Sequence, residues 1–400
     1  MGLKIAIVGC GKIADAHVEE IRKIPSVQLV AVCDLEPIMA EQLASRYSVP
    51  HWYSDVGGML EAEKPQVLHI TTPPESHLLL TAQAVAAGCH VFLEKPVALR
   101  HHDSQAIIQT VVTAQKKLAV NYWPNFEAPA LELRRLYQTG VLGTPVHLES
   151  FYGYNLAGEY GTALKRDPNH WVLRMPGKLF QNVLDHVLNK ITPFLDDDEP
   201  LIQAIAYCGE DPHDAHDRSP SGQLLDELRV TLRGRQTSAY ATFSSHARPV
   251  GHTLRVYGTK NTAHVDFASR SLVLERQQTF PSALGRLIPP FLVAKDHLRQ
   301  GLRNANRFRH ARFHYFDGMR QLLGEFYLSI ERDTPPPIAY SEILRVSAKM
   351  EKSLSRSIPR CSLEDPGYRR RWVSGCPCRR ASACPRAYRY PLLSTRAQQS

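Results

Sequence analysis

From Lys4 to Tyr122, short runs of β-branched and other apolar residues alternate with stretches in which apolar positions recur every three or four residues. That alternation of periods predicts a parallel sheet wound by crossover helices. Strands are predicted over Lys4–Val8, Val27–Asp34, Gln66–Thr71, His90–Glu94 and Leu118–Tyr122, and helices over Ala14–Lys23, Ile38–Arg46, Ser76–Ala87 and Asp103–Lys116. After Tyr122 the rhythm changes. Pro145–Tyr154, Leu201–Cys208, Leu225–Leu232, Thr237–Ser245, Thr253–Tyr257, Ala263–Phe267 and Leu272–Glu275 read as closely spaced strands, which predicts an open, mainly antiparallel sheet. Helices are expected over Ala130–Gln138 and Asn182–Ile191, then near Tyr315–Ile330 and Ser341–Ser353, the last two separated by Pro335–Pro337. Periodicity ends near Ser357.

Length agrees with this division. Four hundred residues exceed the roughly 250–300 at which one core stops growing. The expectation is an α/β domain over 1–122, an α+β domain over 123–356 and a disordered basic tail over 357–400. No apolar run is long enough to span a membrane, and the first strand runs straight into glycines rather than a cleavage site, so a cytoplasmic protein without a membrane partner is expected.

The net charge of +9 changes little, because eight arginines after Cys361 face only Glu364 and Asp365. The body is nearly balanced, the tail has no folded nucleic-acid module, and no nucleic-acid partner is expected. Cys10, Cys33, Cys89 and Cys208 stand singly among apolar residues. Cys376, Cys378 and Cys384 lack a zinc-site spacing, so no metal is expected.

Gly9-Cys10-Gly11-Lys12-Ile13-Ala14 follows the first strand and opens a helix. The first glycine permits a tight turn, the second lets backbone approach a pyrophosphate, and the helix N-terminus supplies N–H groups for its charge. Asp34 ends the second strand about 20 residues further on, where a carboxylate can accept from ribose hydroxyls. This is a dinucleotide-binding Rossmann arrangement. NAD is favoured over NADP, since a 2′-phosphate beside Asp34 and Glu36 would meet like charge.

Other polar groups gather at strand ends, where ligands of open α/β sheets bind. Thr71, Thr72, Pro73 and His77 follow the predicted strand Gln66–Thr71; they form either part of the cofactor site or a turn capped by Ser76. Asn121 ends the fifth strand. Glu94-Lys95-Pro96 closes a buried run, and charge there is expensive unless it is paired or used. Lys95 can approach both cofactor and substrate; the alternative is a structural ion pair.

With these motifs the chain resembles the Gfo/Idh/MocA family, that of glucose–fructose oxidoreductase and inositol dehydrogenase. Gln138-Thr-Gly-Val-Leu-Gly143, before the first strand of the second domain, adds to the likeness. The resemblance implies a nicotinamide cofactor, hydride transfer at a hydroxyl of a sugar, cyclitol or sugar nucleotide, and homo-oligomers built through the C-terminal sheet. The family's Asp-x-x-x-His pattern falls on Asn182 and His186, with asparagine where the aspartate is usual. Asn182, His186 and Lys190 then share one helix face, with Asp185 and Asn189 along its edge.

On that likeness neutral His186 takes the hydroxyl proton, a contribution of roughly 10²–10⁴-fold. Lys95 stabilises the alkoxide, Asn182 orients a hydroxyl, and Asp185 supplies an acid. Trp123, Asn125, Tyr152, Tyr154, His170, Trp171 and Arg174 are further cleft candidates. Two alternatives stay open: His186 as a packing residue, and a cofactor-binding sensor without turnover, suggested by Asn182.

Overall fold

The computed structural model describes residues 2–167, 169–209, 224–277, 280–310 and 313–357. Its first sheet holds β1 (Leu3–Val8), β2 (Val27–Cys33), β3 (His51–Tyr53), β4 (Val67–Ile70), β5 (His90–Leu93) and β6 (Leu118–Val120). They run parallel in the order β3-β2-β1-β4-β5-β6. Ile5, Ala6, Ile7, Val67, Leu68 and Ile70 are all fully buried, since helices cover both faces. This is why β1 and β4 read as continuous apolar runs. The chain leaves β1 to one side and returns on the other at β4, which opens a crevice beyond their C-terminal ends. Short β3 and the helix Val56–Glu63 were not anticipated; the strand is only His-Trp-Tyr at the sheet edge, without an apolar run.

The second sheet holds β7 (Pro145–Gly153), β8 (Leu201–Tyr207), β9 (Glu227–Arg233), β10 (Ser238–Ser244), β11 (His252–Gly258), β12 (Asn261–Asp266) and β13 (Ser271–Arg276). Their order is β13-β12-β11-β7-β10-β9-β8. The pairings are antiparallel except β7 with β10, which is parallel. Hairpin spacing cannot reveal that pair, because long segments separate its strands. Leu148, Ala239, Ala241, Phe243, Leu254 and Val256 are buried on one face, while Val146, Ile205 and Tyr240 are exposed.

Two later helices return to the first sheet. Tyr327, on Asp317–Glu331, reaches His69 of β4, and the Tyr340 hydroxyl at the start of Tyr340–Ser357 accepts from the Leu118 N–H of β6 at 3.0 Å. Between β13 and these lies a helix over Ser282–Arg309 that sequence periodicity missed, since Pro289 and Pro290 interrupt its pattern. The expected tail and Cys361, Cys376, Cys378 and Cys384 lie outside the described residues, apart from Ser357. Burial pushes the Cys10 and Cys33 thiols up to about 12, so both stay protonated. Among the described residues, no group of three or more His, Cys, Asp or Glu is placed to hold a metal ion.

Candidate active site

The glycine loop is fixed by close backbone approach. Gly9 has φ +96°, and a Cβ there would stand 2.8 Å from the backbone of Thr71 and Thr72. A Cβ on Gly11 would meet nothing within 4 Å, leaving open space above the helix Lys12–Ile21. No side chain caps that helix, so its first N–H groups remain for an anion. Ala14 is fully buried and Ile13 partly so, while the Lys12 side chain reaches into solvent.

Asp34 is held from both sides. Its Oδ2 accepts from the Cys10 N–H at 2.6 Å and its Oδ1 from the Glu36 N–H at 3.0 Å. Each oxygen keeps a further lone pair for a hydroxyl. The cleared glycine loop, the uncapped helix and the aimed carboxylate together fit the pyrophosphate and ribose of NAD.

Across the crevice, the Thr71 hydroxyl donates to the Val8 and Gly9 carbonyls and pins the loop to β4. Thr72 pairs with the Ser76 hydroxyl at 2.6 Å, and Pro73 is exposed. His77 is fully buried, with Nδ1 3.0 Å from the Val97 carbonyl and Nε2 2.9 Å from that of Thr72. It braces the two loops that flank the site.

Glu94 ends a buried chain of polar groups. The His17 Nε2–H donates to its Oε1 at 2.8 Å, Asn121 Nδ2 donates to the same oxygen, and the Lys95 N–H donates to Oε2 at 3.2 Å. Behind it, His17 Nδ1 lies 2.8 Å from His69 Nδ1, and His69 Nε2 lies 2.8 Å from the Tyr327 hydroxyl. Burial holds His69 neutral, so a single proton sits between the two rings. Burial alone would raise the Glu94 carboxyl, but its donors and Lys95 hold it below the usual carboxylate value. The sequence reading missed His17, His69 and Tyr327; the one available signal was a histidine inside the apolar run Val67–Ile70.

Above this chain, Lys95 Nζ donates to the Asn182 backbone carbonyl at 3.1 Å and to its Oδ1 at 3.0 Å. Asn182 Nδ2 in turn donates to the Tyr160 hydroxyl at 3.1 Å. The single helix expected over 182–191 is two short ones, Lys178–Val183 and Asp185–Ile191, which meet at Leu184. The polar stripe therefore has two ends.

At one end Asn182 and Asp185 flank Lys95. Burial pushes the Asp185 carboxyl up to about 6 against the opposing pull of Lys95 and a long bond from the Tyr122 hydroxyl, 3.4 Å away. Burial also lowers Lys95, which Glu94 and Asp185 only partly offset.

At the other end Lys190 contacts His252 Nε2 and sits 4.9 Å above the Phe267 ring. Burial lowers Lys190 well below its usual value and also keeps His186 and His252 neutral. His186 lies against the Tyr152 ring, with centroids 4.6 Å apart. Glu127 faces Lys190 and Arg270, and burial raises its carboxyl to about 7. Asp185 Oδ2, Asn189 Oδ1 and Glu127 Oε2 are buried acceptors without a hydrogen-bond partner among the described residues. Asp185 and Asn189 are one helical turn apart.

Of the other cleft candidates, Tyr154 packs edge-on to Tyr160, His170 packs edge-on to Tyr160 and stacks on Trp171, and Trp123 meets Tyr315. Asn125 donates to the Asn189 carbonyl.

Residues 3–122 match the family model GFO_IDH_MocA, an oxidoreductase family with an NAD-binding Rossmann fold. D-glucoside 3-dehydrogenase of Escherichia coli (strain K12) is 34% identical over 142 residues, 35% of this chain and 40% of that protein. Inositol 2-dehydrogenase of Burkholderia vietnamiensis is 28% identical over 162 residues, 40% of this chain and 48% of that protein. The matched stretch thus spans less than half the length of either relative. Two solved structures share the fold over most of the chain. An NAD binding oxidoreductase from Klebsiella pneumoniae has a TM-score of 0.71 at 19% identity, covering 89% of this chain and 96% of its own. The WlbA dehydrogenase from Bordetella pertussis, in complex with NADH and UDP-GlcNAcA, has a TM-score of 0.67 at 18% identity, covering 89% and 95%. The glycine loop with Asp34 and Glu94-Lys95-Pro96 lie within the matched segment, so residues 3–122 are an NAD-binding Rossmann domain of the Gfo/Idh/MocA oxidoreductase type.

Proposed function

We propose that this protein is an NAD-dependent dehydrogenase or reductase acting on a secondary hydroxyl of a polyhydroxylated substrate: a sugar, cyclitol or sugar nucleotide. The reading rests on two buried acceptors without a hydrogen-bond partner among the described residues, Asp185 Oδ2 and Asn189 Oδ1, one helical turn apart. Buried acceptors are costly without donors, and a ligand rich in hydroxyls brings donors. The matched relatives are named as dehydrogenases of a glucoside and of inositol, which supports the same class.

NAD, when bound, supplies the hydride acceptor. Lys95, fixed on Asn182, donates to the reacting oxygen and stabilises its developing negative charge. Asp185 Oδ2 takes the hydroxyl proton; a carboxyl at about 6 is ionised at neutral pH and close enough to it for efficient transfer. Asp185 suits this role better than His186, because it flanks Lys95 and keeps a free oxygen, whereas His186 lies against Tyr152. Aromatic faces of Tyr152, Tyr154 and Tyr160 suit the apolar side of a sugar ring. The exposed face of the second sheet suits a homo-oligomer.

The test is absorbance near 340 nm of the purified protein with NAD and a panel of sugars, cyclitols, sugar acids and sugar nucleotides. Reduction by one member supports the reading. Bound NAD with no reduction by any member, and no oxidation of NADH by the matching ketones, overturns it.

A further inference from the structure

The second half of the helix Ser282–Arg309 turns polar side chains inward. Toward β13, Gln300 donates to the Leu272 carbonyl at 3.3 Å, Asn304 to the Ser269 carbonyl at 2.8 Å, and Asp296 pairs with Arg276 at 3.5 Å. A helix laid on a sheet ordinarily buries its apolar stripe there. Here the large apolar side chains stand outward: Leu287, Phe291, Leu298, Leu302 and Phe308 are 60%, 69%, 66%, 64% and 75% exposed. Leu284, Leu287, Phe291 and Leu298 follow spacings of three, four and seven, so they form one stripe rather than scattered surface residues.

Charge identifies what covers the stripe. The helix carries Arg286, Lys295, Arg299, Arg303, Arg307 and Arg309 against the single acid Asp296. A second copy would set those cations against its own, which disfavours self-pairing. An anionic lipid surface satisfies both features, because apolar side chains enter the acyl boundary while the cations meet phosphate. The helix is too polar to cross a bilayer: no described helix is long and apolar enough to do so.

We propose that Ser282–Arg309 is a membrane-surface helix that lies in the headgroup layer of an anionic bilayer and holds the enzyme there peripherally. At 1.5 Å per residue it offers a contact line of about 40 Å.

The full chain is co-sedimented with phosphatidylcholine vesicles, with and without phosphatidylglycerol, over a range of salt. The expected result is binding to the anionic vesicles that weakens with salt. Replacing Leu287→Glu, Phe291→Glu and Leu298→Glu together should weaken it at least ~10-fold, with the melting temperature unchanged. A second variant, Lys295→Glu with Arg303→Glu, should weaken binding while leaving the apolar stripe intact. Absence of binding by the wild type overturns the proposal. So does full binding by both variants, which would assign it to the basic C-terminal segment. A wild-type dimer that the apolar variant dissociates, without vesicle binding, would show that a second copy covers the face instead.

Discussion

Glu94 and Asp185 are buried carboxylates on either side of Lys95, one supplied by the first sheet and the other by the helix beneath the second. Both lose solvation, yet one carboxyl falls below its usual value and the other rises to about 6. Their partners explain the difference. Glu94 accepts from His17, Asn121 and the Lys95 N–H, whereas Asp185 has a single long bond at 3.4 Å and an unpartnered oxygen. Saturation with donors, more than depth, decides whether a buried acid stays charged or is poised to exchange a proton. Glu94 is held by its donors, whereas Asp185 keeps the free oxygen that the proposed mechanism uses beside Lys95.

Loss of Lys95 removes the cation that both carboxylates face. Lys95→Ala is expected to lower kcat about 10³-fold, the loss of a donor at the developing oxyanion. NAD affinity measured by fluorescence titration should change little, since the loop at Gly9 and Asp34 is intact. Full retained turnover would remove Lys95 from the chemistry.

Asp185→Asn comes next, with an expected loss of about 10²-fold in kcat. In the parent enzyme kcat/KM should rise with pH through about 6, as Asp185 ionises, and the variant should lack that limb. Stability moves the opposite way. A carboxyl raised from 3.8 to about 6 in the folded state stabilises fully below the unfolded value and loses that contribution as pH rises to the folded one. Thermal melts of the variant should therefore depend less on pH across that window.

His17→Ala probes the saturated side. It removes one donor from a buried charge and is expected to cost about 2 kcal/mol in urea unfolding, with the loss of turnover no greater than the loss of folded protein. Glu94 is depressed in the folded state, so its stabilisation is present above the ordinary 4.5 and disappears as pH falls through the folded value. In the variant the folded Glu94 carboxyl lies closer to its ordinary value, so that acid limb should be shallower and end at higher pH.

These two sides were unequally legible in the sequence. The glycine loop, Asp34 and Lys95 are local: each sits at the end of a strand whose apolar run marks it, and chain order alone brings them to one crevice. The Glu94 chain is not local, because His17, His69, Glu94 and Tyr327 come from four distant segments and only the sheet brings them together. At the other site, helical spacing put Asn182, His186 and Lys190 on one stripe. It could not show that the helix breaks at Leu184, nor that Lys190 turns to His252 and Glu127. The helix Ser282–Arg309 was hidden for a related reason: its prolines break the period, and its apolar stripe faces away from the core.

Asn182 offers the smallest and sharpest test. It stands where an aspartate was expected, and its side chain supplies one of the two acceptors that fix Lys95 Nζ, the other being its own backbone carbonyl. Asn182→Ala keeps the backbone acceptor and should lower kcat only about fivefold, the worth of roughly one net hydrogen bond. Asn182→Asp keeps the geometry but places a charge 3.0 Å from the ammonium position, which raises the Lys95 pKa and makes it a weaker proton donor. If asparagine serves to keep Lys95 lowered, the aspartate variant should shift the alkaline limb of kcat upward while the alanine variant leaves it in place. Equal pH profiles in both would reduce Asn182 to a packing residue.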